Sequence, residues 1–215
     1  MKSLLGSVFF MLILSTVCAS VLAFIHSSTI KRVQVNAELK LQKEILIALG
    51  ILSPQDPKEK IQALFDSNIR TVQHEWLSYY ELTQGKDAGA FAFVVSAMGF
   101  WAPIHAVVAL RPDRTTILGI RFFQHSETSG LGGRISEDWF QNQFGSKRLD
   151  PDQAGPSIRL VLPGQPKTEN DVDAITGATQ TSKKVEQLLA KEVQGTIQSL
   201  WPVRIPPPVL PEEPQ

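Results

Sequence analysis

The chain has 215 residues, with 21 Lys plus Arg against 21 Asp plus Glu. That length holds one ordinary domain plus extras and excludes two full catalytic domains. The charge balance, with basic residues scattered and no stripe among them, excludes a nucleic-acid partner. The lone Cys18 excludes an internal disulfide or a cysteine metal site, and His26, His74, His105 and His125 lack metal-ligand spacing.

In chain order, the first element is "LLGSVFFMLILSTVCASVLAFI", residues 4 to 25, with no charge. As a helix it spans roughly 33 Å, enough to cross a bilayer core. "VLA" at 21 to 23 passes as a signal-peptide cleavage site, but the run is longer than a signal core and favours an uncleaved anchor over residues 1–28. Cys18 follows the bulky Val17, so it reads as a thiol inside that helix and not as a lipid-attachment site. Lys2 and the terminal amine precede the span while Lys31 and Arg32 follow it, so charge counting leaves the topology open. The span carries no charge of its own to move an ion.

A juxtamembrane helix is predicted over residues 29–50, with "NAELKLQKEILIALG" ending at Gly50 as its C-cap. Asp56 and Pro57 predict a short helix ending near Asp66 or Ser67. Apolar runs rich in branched and aromatic residues predict strands at 90–99, 103–110 and 115–123, the last two forming a hairpin across "RPDR". A helix at 135–144 with Ser136 as N-cap follows, then a strand at 158–162 broken by Pro163 and Gly164. The helix predicted at 183–201 sets Val185, Leu188, Leu189, Val193, Ile197 and Leu200 along one face. The tail, 202–215, holds six of the 14 prolines and reads as extended or disordered. The fold class is α+β: a single N-terminal transmembrane helix, then one domain over 51–201 with a largely antiparallel sheet flanked by helices.

"DVDAITGATQTSKK", residues 171 to 184, sets hydroxyls around a Gly-Ala step where a helix should begin. One reading is a loop in which Gly177 supplies the turn and Thr181 or Ser182 caps the helix. Another is an open hydroxyl that carries a phosphate-linked group, favoured by helix N-terminal amides and by Lys183 and Lys184. These residues alone do not name the group.

"DAITGAT", Asp173 to Thr179, resembles the flavinylation signature of the FMN-binding domain family. The resemblance implies FMN joined through its phosphate to the Thr179 hydroxyl by a flavin transferase that uses FAD, with Thr181 the nearest rival acceptor. Asp173, Thr176, Gly177 and Ala178 would serve recognition and packing. "GIRFFQHSETSGLGGRI", residues 119 to 135, resembles the family segment His-x-Glu-Thr-Pro-Gly-Leu-Gly through His125, Glu127, Thr128, Gly130, Leu131 and Gly132. Ser129 stands where the family has Pro, a departure expected to loosen the turn. The resemblance places Glu127, Thr128 and Leu131 near the isoalloxazine. Taken alone, "GLGG" has the look of a dinucleotide loop, but Ile135 occupies the third glycine position and rejects that reading.

"GFWAPIHAVVAL" (99 to 110) and the stalk "LKLQKEILIALGIL" (39 to 52) resemble the NqrC family, the C subunits of Na+-translocating NADH:quinone reductases. Trp101 reads equally as a flavin contact and as a core or rim aromatic. The resemblance implies a single-pass protein of the bacterial inner membrane with its flavin domain on the periplasmic side, although Lys31 and Arg32 run mildly against that orientation. It implies single-electron relay from an iron–sulfur centre in neighbouring membrane subunits to another covalent flavin. No catalytic residue is assigned, because no acid–base or nucleophile constellation is present. The alternatives are the G subunit of an Rnf-type complex, whose version of the Trp segment is more glycine-rich, and a membrane-tethered adaptor without flavin.

Overall fold

The computed structural model describes residues 2–74, 77–150, 156–165 and 167–201, so the proline-rich segment lies outside the described residues. The chain divides into two compact units, Met1–Leu41 and Gln42–Gln215. The first belongs to α1, Lys2–Ala48, which runs unbroken across the boundary between the expected anchor and juxtamembrane helices. It is long and apolar enough to cross a membrane, and its most apolar stretch has a mean hydropathy of 2.6 with no burial. Hydroxyls in that stretch are satisfied within the helix: Ser15 and Thr16 donate to the Leu12 carbonyl and Ser20 to that of Thr16. They need no water, which suits an apolar surrounding.

The second unit takes in the last turns of α1. That helix ends in a Schellman motif around Gly50, as the Gly50 C-cap reading expects. Gly50 has φ +73°, its N–H donates to the Ile47 carbonyl, and the Ile51 N–H donates to that of Leu46. Leu46 and Leu52 then pack with Ile61 of α2, Glu59–Asn68. That helix starts two residues beyond Pro57, because Asp56 accepts from the Ser53 N–H and closes a turn of its own.

Among the described residues five strands form one antiparallel sheet in sequential order: β1 Ile69–His74, β2 Leu77–Leu82, β3 Phe91–Met98, β4 Pro103–Leu110 and β5 Ile117–Gln124. The sequence reading missed β1 and β2, whose residues are mostly half-buried or exposed and lack a long apolar run. The β4–β5 hairpin forms as expected. Asp113 holds its turn by accepting from the N–H groups of Thr115 and Thr116 and from the Thr116 hydroxyl. The ladder of β4 with β5 shifts register at His105/Ala106 and Ala109/Leu110. Such bulges bend a strand, and the first lies where β5 leads into the loop that follows.

The sheet is covered on both faces. Phe91, Phe93, Val95, Ala106, Val108 and Leu110 share one face and pack with Val185, Leu188, Leu189 and Val193 from the C-terminal helices. Ala92, Val107 and Ala109 point the other way and are equally buried. Gly119 lies opposite Ala109 on that face, and a Cβ there would stand 2.5 Å from the Ala48 carbonyl oxygen. Only glycine admits the end of α1 so close to the sheet. Arg121, opposite Val107, pairs with Glu44 at 3.0 Å and Asp138 at 2.9 Å. Burial pulls the Arg121 guanidinium downward, but the two carboxylates together raise it above its ordinary range.

Three expected elements take a different form. The helix at 135–144 is broken into a 3-10 turn Gly132–Ser136, α3 Asp138–Gln141 and a second 3-10 turn Asn142–Phe144. Ser136 is not its N-cap; that position belongs to Glu137, while the Ser136 hydroxyl donates to the Gly133 carbonyl. The break suits Gln141, whose Oε1 accepts from the Phe122 N–H of β5 and whose Nε2 donates to the Ser136 carbonyl. The strand at 158–162 shrinks to β6 Leu160–Val161, paired in parallel with β7 Val172–Asp173. The last helix begins at residue 179, not 183: α4 Thr179–Gln187 continues through a π-helical segment, Leu188–Val193, into α5 Gln194–Leu200. Its six expected apolar residues are all buried.

Candidate functional site

Three tight turns meet at one end of the sheet. The first joins β3 to β4, where the Gly99 N–H donates to the Ala102 carbonyl at 3.0 Å. The second follows β5. The Leu131 and Gly133 N–H groups both donate to the Thr128 carbonyl, and Gly130 takes φ +76°. Positive φ at the third position is the mark of a type II turn. The turn therefore closes with Ser129 in the place where Pro is usual. The third turn runs from Ile175 to Ala178, closed by the Ala178 N–H on the Ile175 carbonyl at 3.0 Å with Gly177 at φ +80°. The second and third turns touch, since a Cβ on Gly177 would lie 3.2 Å from Leu131 Cδ2.

The third turn sets the start of α4 and corrects the capping assignment. Ala178 is the N-cap residue and offers no side-chain cap. Thr181 and Ser182 sit inside the first turn with their hydroxyls directed inward. The Ser182 Oγ accepts from the Ile175 N–H at 3.2 Å, and the Thr181 hydroxyl donates to Glu127 Oε2 at 2.6 Å. Both are buried, whereas Thr176 and Thr179 are exposed. Thr179 is the first residue of the helix, where unpaired backbone N–H groups and the helix dipole favour an anion. Lys183 is exposed one turn further on.

Glu127 is 7% exposed and uses both carboxylate oxygens. Oε1 accepts from the N–H groups of Phe100 at 2.8 Å and Trp101 at 3.3 Å, while Oε2 takes the Thr181 hydroxyl. Glycines make room for it: a Cβ on Gly99 would stand 2.6 Å from Oε1, and one on Gly132 would stand 2.8 Å from Oε2 and 2.4 Å from Thr181 Oγ1. Above this buried layer the Trp101 ring N–H donates to the Thr128 hydroxyl at 3.2 Å. Met98, Phe100, Trp101 and Leu131 are large apolar side chains left exposed at these turns, with Trp101 at 63% and Leu131 at 45%.

The structure thus brings together Trp101, Glu127, Thr128, Gly130, Leu131, Gly132, Gly177, Ala178, Thr179 and Thr181. Asp173 makes its contacts elsewhere: its side chain pairs with Lys167, and its N–H donates to Gln143 Oε1. Two participants were missed in the sequence. Gly99 was visible within "GFWAP", where a glycine before two aromatics at a strand end signals close backbone approach. Gln143, which ties the second 3-10 turn to β7, gave no signal. The neighbouring Asp171 is buried against Arg159, at 2.7 Å and 3.1 Å, and also accepts from the Thr168 N–H. The Arg159 hydrogen bonds hold its carboxyl far below the usual carboxylate range against the opposing effect of burial.

Residues 99–194, a span containing all three turns, match the profile of the FMN-binding domain family. The chain is also similar to the C subunit of the Na(+)-translocating NADH-quinone reductase of Vibrio campbellii, at 30% identity over 135 residues, 61% of this chain and 52% of the relative. The corresponding subunit from Yersinia pestis is 42% identical over 89 residues, 41% of this chain and 34% of the relative. The chain therefore spans about half the length of these relatives, or less. Among solved structures, the fold is shared with the C subunit of the same reductase from Parabacteroides distasonis. The TM-score is 0.66 at 21% identity, over 77% of this chain and 93% of that one. It is shared also with NqrC from Shewanella oneidensis, with TM-score 0.62 and 18% identity over 76% and 99%.

Proposed function

We propose that this chain is the membrane-anchored flavoprotein subunit of a Na+-translocating NADH:quinone reductase, carrying FMN in phosphoester linkage on Thr179. The observation that carries this reading is the contrast between two hydroxyls of one helical turn. Thr179 is exposed at the helix start, while Thr181 is buried and engaged with Glu127. An attaching enzyme reaches the first and not the second. The surrounding residues fit the group. Exposed Phe100, Trp101 and Leu131 offer flat and branched apolar surface for a ring system. The N-terminal amides of α4, with Lys183, suit a phosphate.

In the attachment step, the Thr179 oxygen bonds to the FMN phosphorus of FAD, the pyrophosphate bond breaks, AMP leaves, and the hydroxyl proton is released. When bound, FMN supplies one-electron redox chemistry that no side chain of this chain provides. The protein's part is to hold the group covalently and to limit water on its apolar side through Met98, Phe100, Trp101 and Leu131. Within the complex the chain relays single electrons between a membrane iron–sulfur centre and another flavin-bearing partner. The anchor α1 keeps it in the inner membrane with the flavin domain on the periplasmic side, where the flavin transferase works.

The test is to co-produce the full chain with a flavin transferase and denature it fully on a gel. Flavin fluorescence retained in the band is the expected result. A colourless band beside a labelled control acceptor removes the reading and favours a tethered adaptor.

A further inference from the structure

We infer that Glu127 is a positioning residue for flavin attachment, acting through Thr181 on the helix turn that presents Thr179. The inference rests on the attachment reading above and adds a residue role to it. Glu127 is the meeting point of three segments far apart in sequence: its own loop after β5, the Gly99–Ala102 turn through two backbone N–H groups, and the first turn of α4 through the Thr181 hydroxyl. All of these partners donate to a carboxylate, so the bonds are charge-assisted.

The space is built for this side chain. Gly99 and Gly132, from different segments, each stand where a Cβ would collide with one of its oxygens. The N-cap Ala178 has no side chain able to cap the first turn of α4. Thr181 does not cap the turn either; its hydroxyl ties the turn to the Glu127 carboxylate. The 2.6 Å bond from its hydroxyl to Glu127 fixes the rotation of the turn, and that rotation decides where the Thr179 hydroxyl points. The buried carboxylate thus presets both the acceptor and the apolar platform of Phe100 and Trp101, whose backbone it holds.

The experiment follows flavin transfer from FAD to the full-length chain by a purified flavin transferase, read as labelled fraction against time, alongside thermal melting. Thr181→Val removes only the hydroxyl, and Glu127→Ala removes the carboxylate. Each is expected to lower the labelling kcat by about tenfold or more, with the KM for FAD unchanged, because misplacement of an acceptor by under 1 Å is costly. Thr181→Ser keeps the hydroxyl donor, and Glu127→Gln keeps an oxygen for the Phe100 and Trp101 N–H groups while its amide N–H donates to Thr181 Oγ1, a reversed bond; both are expected to recover most of the rate. The double variant is expected to be no slower than the slower single one, since both break one link. Labelling of Thr181→Val at the wild-type rate overturns the inference. So does an equal loss in all four single variants tracking a lowered melting temperature, which marks general structural damage. An unlabelled wild type is a different failure: the attachment reading falls first and the positioning role with it.

Discussion

The two sides of the first turn of α4 carry the same chemistry and opposite fates. Thr179 at the helix start is exposed, as is Thr176 in the turn before it; Thr181 and Ser182 are buried, with each hydroxyl spoken for. Two positions along an α-helix are about 200° apart around its axis. Once the helix starts at Thr179, therefore, Thr179 and Thr181 must face apart. The difference teaches that acceptor choice within "TGATQTS" is set by where the helix begins, and the Ile175–Ala178 turn fixes that start. Residue type alone does not separate the candidates.

The comparison is broken most sharply at the outer threonine. Thr179→Ala should abolish flavin attachment while leaving folding stability within about 0.5 kcal/mol, as expected for an exposed position without a side-chain cap. Denaturing-gel fluorescence and thermal melting check the two halves.

On the inner side, Gly132→Ala places a methyl group 2.4 Å from Thr181 Oγ1 and 2.8 Å from Glu127 Oε2. It should lower stability by about 1–3 kcal/mol through overpacking, measured by urea unfolding.

Asp171→Asn tests the ion pair that anchors the chain where it enters β7. The Asp171 carboxyl is depressed by its Arg159 partner, so its contribution is present above the unfolded-state pKa of about 3.9 and fades as pH falls below it. Arg159 is half exposed, which limits the gain through solvent screening. The variant should be about 1–2 kcal/mol less stable at pH 7. The gap should narrow below about pH 4 in parallel unfolding curves.

The smallest effect is a gain. Ser129 occupies the second position of the Thr128–Leu131 turn, which accepts proline. Ser129→Pro should raise stability by about 0.4–1 kcal/mol by restricting the unfolded chain. A lowered melting temperature would show that the turn differs from the type II geometry.

Much of this was legible in the residues themselves. The apolar stretch that α1 contains, strands β3 to β5 and the buried stripe of the last helix follow from hydrophobic runs and periodicity. Gly177 announced a turn, and it takes positive φ. The illegible parts share one physical cause, dependence on partners distant in the chain or on backbone geometry. The true start of α4 depends on a backbone turn. Thr181 and Ser182 look like caps in sequence because their inward partners, Glu127 and the Ile175 N–H, lie 54 and 7 residues away. β1 and β2 escaped because half-buried hairpins lack a long apolar run. The helix at 135–144 was overread because the Gln141 side chain, bonded to β5, favours a broken form over the regular one that its pattern suggests.

The central claim is that Thr179, and neither Thr176 nor Thr181, carries the flavin. Trypsin cutting after Lys167 and Lys183 leaves all three threonines in one peptide, so fragment-ion sequencing of that peptide from labelled full-length chain is the deciding measurement. The account predicts the FMN phosphoryl mass on Thr179 alone. The same mass on Thr181 would contradict it, because that residue is buried and bonded to Glu127 in the fold described above.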